Sequence, residues 1–165
     1  MDGVSEVEEL FARARAELAA VPTEPIGEWA APRRILGLTR APRIVPVGDA
    51  WHVGVLLLTD DAVFATGDIV RAREEERRGF TAESQRERAA TAAAAFRGGF
   101  PEGAAVHIGW TRLDASALDR GEASGPLAVR DGVASVRWST AGAYQPLADY
   151  LRDRVALLRS PPPRA

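Results

Sequence analysis

His52 and His107 are the two side chains of this 165-residue chain whose ordinary pKa lies near neutrality, so proton transfer near pH 7 would fall to them first. Asp49 precedes His52 by three residues, and a carboxylate that orients an imidazole is one part of a catalytic triad. The other part is missing. No Gly-x-Ser-x-Gly elbow exists, and Ser124 stands in Glu-Ala-Ser-Gly, a loop context. A hydrolase of amidohydrolase type would therefore rest on His52 and Asp49 acting with water or a hydroxyl. Both histidines fall in expected strands, where an imidazole usually serves packing and hydrogen bonding.

The other distinctive residues are arginines. In Ile69-Val-Arg-Ala-Arg-Glu-Glu-Glu-Arg-Arg-Gly-Phe80, the side chains of Arg71, Arg73, Arg77 and Arg78 could gather near Trp51, His52 or Tyr144 and hold an anion. The alternative is a charged surface helix, with Glu74 and Arg78 spaced for an i,i+4 pair. Glu74, Glu75 and Glu76 fan around a helix axis, and Asp60-Asp61 reads as a turn. The run Gly98-Gly-Phe-Pro-Glu-Gly103 follows a helix and precedes a strand. That order is the reverse of a phosphate loop.

Absent residues exclude more chemistry than the present ones suggest. The chain has no Cys, Lys or Asn. Disulfides, thiolate metal sites, cysteine nucleophiles, Schiff bases and a P-loop lysine are excluded together. Two histidines without cysteine do not assemble a zinc set, so neither metal nor cofactor is expected. All 21 basic residues are Arg beside 31 Ala, the bias of a GC-rich genome, which weakens any single Arg as a sign of anion recognition. A net charge of −2 gives no footprint for nucleic acid.

These groups must be placed by secondary structure. Val7, Leu10, Phe11, Ala14, Leu18 and Val21 make one apolar helix face, opened by Ser5 and Glu8 as a capping box. Five prolines between Pro22 and Pro46 make Val21–Arg43 an extended wrapping segment anchored by Ile26, Trp29, Ile35 and Leu36. Strands are expected over Ile44–Val47, Trp51–Thr59 and Ala62–Thr66, the last two forming a hairpin across Asp60-Asp61. Asp68 would cap a helix from Ile69 to Gly79, and Thr81 a second from Ala82 to Arg97 with Ala89, Ala90, Ala93, Ala94 and Phe96 as a packing face. A strand over Ala104–Thr111 and a helical turn at Asp114–Arg120 follow. Leu127–Arg130 and Val133–Trp138 form a hairpin around Asp131-Gly132, and Pro146 opens a helix with Leu147, Tyr150, Leu151, Val155 and Leu158 inward.

The fold class is thus α+β. A single domain over 1–159 is expected, with a mainly antiparallel sheet of about six strands, amphipathic helices at both ends, and a two-helix insertion between strands three and four. Residues 1–21 are its docking helix, 22–43 its wrapping segment, and 160–165 a disordered tail with three consecutive prolines.

The stretch from Arg43 to Phe100, RIVPVGDAWHVGVLLLTDDAVFATGDIVRAREEERRGFTAESQRERAATAAAAFRGGF, resembles a family of small actinobacterial proteins, the likeness running from about Val21 to Leu158. Some members carry the name glutaminase. Serine-dependent glutaminases use a Ser-x-x-Lys pair and glutamine amidotransferases a Cys, so the name brings no catalytic residue onto this chain. GVLLLTDDAVFATG, Gly54 to Gly67, is similar to a strand-turn-strand of pleckstrin-homology and GRAM-type domains, which implies a surface-binding module as an alternative.

The reading that follows is a non-catalytic domain that binds a small ligand or a protein. Trp51, His52, Arg71, Arg73 and Tyr144 are its candidate ligand contacts. The partner is expected to be a small molecule or protein; nucleic acid is not expected, nor is a membrane. The apolar face of the first helix leaves a homodimer open. The start lacks a basic region followed by an apolar stretch, and no run approaches the roughly 20 residues of a spanning helix, so a cytoplasmic location is expected.

Overall fold

The computed structural model describes residues 5–75 and 82–163. In chain order they form α1 (Glu6–Leu18), β1 (Glu24–Trp29), β2 (Arg34–Ile35), β3 (Leu38–Thr39), β4 (Ile44–Val53), β5 (Leu56–Leu58), β6 (Val63–Ala65) and β7 (Asp68–Arg71). Then come α2 (Glu83–Arg97), β8 (Ala105–Ile108), β9 (Thr111–Arg112), a 3-10 turn (Ala115–Arg120), β10 (Leu127–Arg130), β11 (Val133–Arg137), β12 (Tyr144–Pro146) and α3 (Leu147–Arg159). The α+β class stands, with more and shorter strands than expected. No helix among the described residues is long and apolar enough to cross a membrane.

The chain gathers into two compact units. The first comprises Met1–Thr23, Ala50–Thr66 and Thr111–Ala165. Its core joins Val7, Phe11, Ala14 and Leu18 of α1 to Leu147, Tyr150, Leu151 and Val155 of α3, with Trp51, Val53, Leu56, Leu58, Leu127 and Val136 from the strands. The spacing of these residues along α1 and α3 is what lets each helix turn one apolar stripe inward. Ser5 caps α1 as its hydroxyl accepts from Val7 N at 3.2 Å. The second half of β4 pairs antiparallel with β5, β5 with β6, and β6 with β9. A separate meander, β10-β11-β12, turns at Asp131-Gly132, whose φ values of 51° and 77° suit the type I′ turn expected there.

Trp51–Thr59 is not the one continuous strand expected. Gly54, at φ 64°, turns the chain back so that Trp51 faces Leu58 and Val53 faces Leu56. An apolar run on both parities can be two short buried strands as well as one long one, and the glycine decides between them. Ile44–Val47, in turn, merges into β4. The hairpin across Asp60-Asp61 forms as expected, between β5 and β6.

The second unit comprises Glu24–Asp49 and Gly67–Trp110. Here β7, β8 and β1 lie side by side, β7 antiparallel and β1 parallel to β8, and the start of β4 joins through Ala30 N to Arg43 O. Ile44, Val106, Ile108, Phe100, Ala72, Ala94 and Ala95 form its core. Several expectations fail in this unit. Asp68 caps no helix: Asp68–Arg71 is a strand paired residue for residue with Ala105–Ile108, and Ala72–Glu75 is not helical. The β-branched pair Ile69-Val70 and the outward alternation of Ile69, Arg71 and Arg73 suit a sheet edge, whereas the charges alone fit either period. Glu76, Arg77, Arg78, Gly79 and Thr81 lie outside the described residues. α2 forms without a side-chain cap at Ala82, and only Ala93, Ala94 and Ala95 are buried in it; Ala90 is exposed.

The wrapping segment is also corrected. Ile26 is buried, but Trp29 is half exposed, and Ile35 and Leu36 sit on an exposed hairpin of β2 and β3. Their apolar character had no core to enter. Ser160–Pro163 are exposed and carry no regular structure, as a run of prolines requires.

Candidate functional site

Strand alternation sends Asp68, Val70, Ile108 and Trp29 to the face of the second unit's sheet on which α2 packs. The C-terminal turns of α2 close onto that face through Ala93, Ala94 and Ala95. Its N-terminal half does not, and the gap is an open groove of about 910 Å³. Trp29, Val70 and Ile108 supply an apolar floor. Gln85, Arg88, Ala89 and Ala92 of α2 form one wall, and Ile69, Arg71 and Arg73 the strand-side rim. The described residues lining it include three arginines, Arg71, Arg73 and Arg88, and two carboxylates, Asp68 and Glu87.

Arg71 is tied down, since its guanidinium donates to Gly103 O at 3.1 Å. The side chains of Arg73 and Arg88 make no hydrogen bond or ion pair among the described residues. The Thr91 hydroxyl donates to Glu87 O at 2.9 Å. Among the described residues lining the groove there is no histidine, cysteine or lysine.

Of the residues singled out in the sequence, Arg71 and Arg73 come together here. The other three belong to the first unit. Trp51 is 8% exposed and its indole N–H donates to Val21 O at 2.9 Å, an anchoring role. His52 Nε2 lies 2.9 Å from Gly54 O, and since a carbonyl can only accept, this nitrogen carries the proton and steadies the β4–β5 turn. Tyr144, on β12, lies beneath the guanidinium of Arg130 at 4.3 Å from its ring centre. Asp49 is exposed at the end of the second unit's part of β4.

Sequence reasoning missed three contributors. Trp29 and Arg88 entered no site because their partners are distant in sequence. Glu24 escaped notice too: its carboxylate meets Nε2 of His107, whose side chain is fully buried on β8. The parallel register that sets Ile26 opposite His107 brings Glu24 to that ring, and no local pattern announces it.

A second cleft, about 430 Å³ and in the first unit, is lined by Glu8, Arg15, Asp61, Arg112 and Asp114. Its charges are largely engaged. Arg15 donates to Thr59 O and Ala62 O at 2.7 and 3.1 Å. Asp114 accepts from the Ser116 hydroxyl at 2.6 Å and from Arg120 at 3.0 Å, and these contacts hold its carboxyl below the usual carboxylate range, while Asp114 and then Glu122 hold the Arg120 guanidinium above its own ordinary value. Comparison with family models, with curated proteins and with solved structures found no match.

Proposed function

We propose that the protein is a non-catalytic binding protein whose groove between α2 and the edge of the second unit's sheet takes a small organic anion with an apolar body. The observation that supports this is the combination of Arg71, Arg73 and Arg88 around a floor of Trp29, Val70 and Ile108. An apolar floor with a few convergent polar groups, at a volume of several hundred Å³, is the usual build of a small-molecule site. Guanidinium forks match carboxylate and phosphate oxygens, and the indole adds stacking area. Among the described residues lining the groove, the one hydroxyl, that of Thr91, is spent on the backbone carbonyl of Glu87, which favours binding over turnover.

Thermal denaturation against a panel of aromatic and aliphatic carboxylates and phosphate monoesters tests the reading. A ligand at a hundred times its dissociation constant adds about 2.7 kcal/mol to stability. An anion that raises Tm in the parent and not in the Arg71→Gln/Arg73→Gln variant supports the groove. A panel without any shift, or a shift that survives the double substitution, overturns it.

A further inference from the structure

Between Trp29 and Gly48 the chain has four arginines and no acid, although the whole protein is net −2. The same stretch holds Trp29, Ile35, Leu36, Leu38 and Val47, five of the nine large hydrophobic side chains exposed among the described residues. Charge and apolar exposure concentrate together here, on the β2–β3 hairpin above all. Leu36 is 97% exposed and Leu38 75%, with Ile35 at 48%.

The hairpin is a closed device. Arg34 pairs with Thr39 and Ile35 with Leu38, while Arg40 N donates to Arg33 O at 3.2 Å, so the backbone on either side of the turn is satisfied internally. Its turn places Leu36 at φ 55° and Gly37 at φ 80°. A leucine in the left-handed region is uncommon, and here it sits at the apex with its side chain in water. Core packing explains none of the three aliphatic residues. Behind them, Arg34 on β2 and the flanking residues Arg33 and Arg40 form a basic collar, all exposed.

We propose that this hairpin is a membrane-docking tip, which seats Ile35, Leu36 and Leu38 among the lipids of an anionic bilayer surface while Arg33, Arg34 and Arg40 meet the phosphate headgroups. The tip is convex. A rigid protein partner would need a pocket already shaped for it, whereas a fluid lipid surface deforms around it. The order of residues also fits the depth profile of a bilayer interface, with aliphatic groups outermost and guanidinium groups one step back on stems that can reach upward. Such contact is peripheral and asks for no spanning segment.

Co-sedimentation of the full chain with vesicles of phosphatidylcholine alone, and with phosphatidylserine added, tests this. Binding is expected only with the anionic lipid, falling as salt rises from about 0.1 M to higher ionic strength. Each Arg→Gln change at Arg33, Arg34 or Arg40 should lower partitioning roughly fivefold, the equivalent of about 1 kcal/mol of surface attraction per arginine. Leu36→Ser with Leu38→Ser should abolish sedimentation. Both residues are exposed, so the fold is retained, and Val133→Ser on the exposed face of β11 should leave binding unchanged. Absence of binding at low salt, binding that survives the double leucine substitution, or equal binding to neutral vesicles overturns the proposal. Self-association or capture by an acidic protein that the leucine variants abolish, without vesicle binding, also overturns it and assigns the tip to a protein contact.

Discussion

Tyr150 closes the turn at Gly54. Its hydroxyl accepts from Val55 N at 2.8 Å and donates to Val53 O at 3.2 Å, and a Cβ placed on Gly54 would lie 2.0 Å from the Tyr150 hydroxyl oxygen. A side chain on the C-terminal helix thus satisfies the two backbone groups that flank a left-handed residue nearly a hundred positions earlier. Tyr150→Phe should leave the Val55 N–H without its hydroxyl acceptor in a part-buried turn, at a cost of about 1–3 kcal/mol. Gly54→Ala should cost more, because about 1–2 kcal/mol of left-handed strain is added to the displacement of the hydroxyl. Urea denaturation of both variants measures the order, and a Gly54→Ala protein as stable as the parent would contradict this account of the turn.

What the sequence conveyed was the part governed by local rules. The apolar stripes of α1 and α3, the Asp131-Gly132 turn and the β5–β6 hairpin each follow from side chains within a few residues of one another. Where local rules gave two answers, tertiary partners chose. Asp68–Arg71 has charges that a helix would accept, but the β8 edge offers it four paired positions and the strand wins. Leu56–Leu58 became its own strand because Tyr150 waits at Gly54. Of the groove, Arg71 and Arg73 were legible as an arginine cluster. Trp29 and Arg88 were not, since they reach it only through the packing of α2 and the parallel register of β1.

Glu24→Ala should destabilise the second unit by about 1–3 kcal/mol, the cost of removing a carboxylate from a fully buried imidazole. Glu24→Gln keeps a polar partner for Nε2 and should lose less. Hydrogen exchange at β1 and β8 would register the difference, with faster opening of Ile26 and His107 amides in the alanine variant. Unchanged protection in both variants would mean that the pair does not hold the two strands.

Asp114 gives the fold a small acid-sensitive contribution. The Ser116 hydroxyl first, and then Arg120, hold its folded pKa below the unfolded value near 3.8. Its share of stability is therefore complete above that value and is lost as pH falls through the lower, folded one. Asp114→Asn should be less stable than the parent at neutral pH and should converge with it in acid below the carboxylate range. Both side chains are more than half exposed, so added salt should shrink the gap. A difference that persists unchanged into strong acid would assign it to packing.

The groove can be dissected by ligand type. Arg71→Gln and Arg73→Gln remove charge, and each should weaken an aromatic carboxylate and inorganic phosphate alike, by roughly tenfold or more if the guanidinium bonds the anion directly. Trp29→Ala removes floor area and leaves the charges in place. It should weaken the aromatic carboxylate while phosphate binding stays within a factor of about two, since a tetrahedral ion buries little apolar surface. Calorimetric titration of the three variants with both ligands separates these effects. If Trp29→Ala weakened phosphate as much as the aromatic ligand, the indole would be shaping the site instead of touching the ligand, and the amphipathic division of the groove would fail.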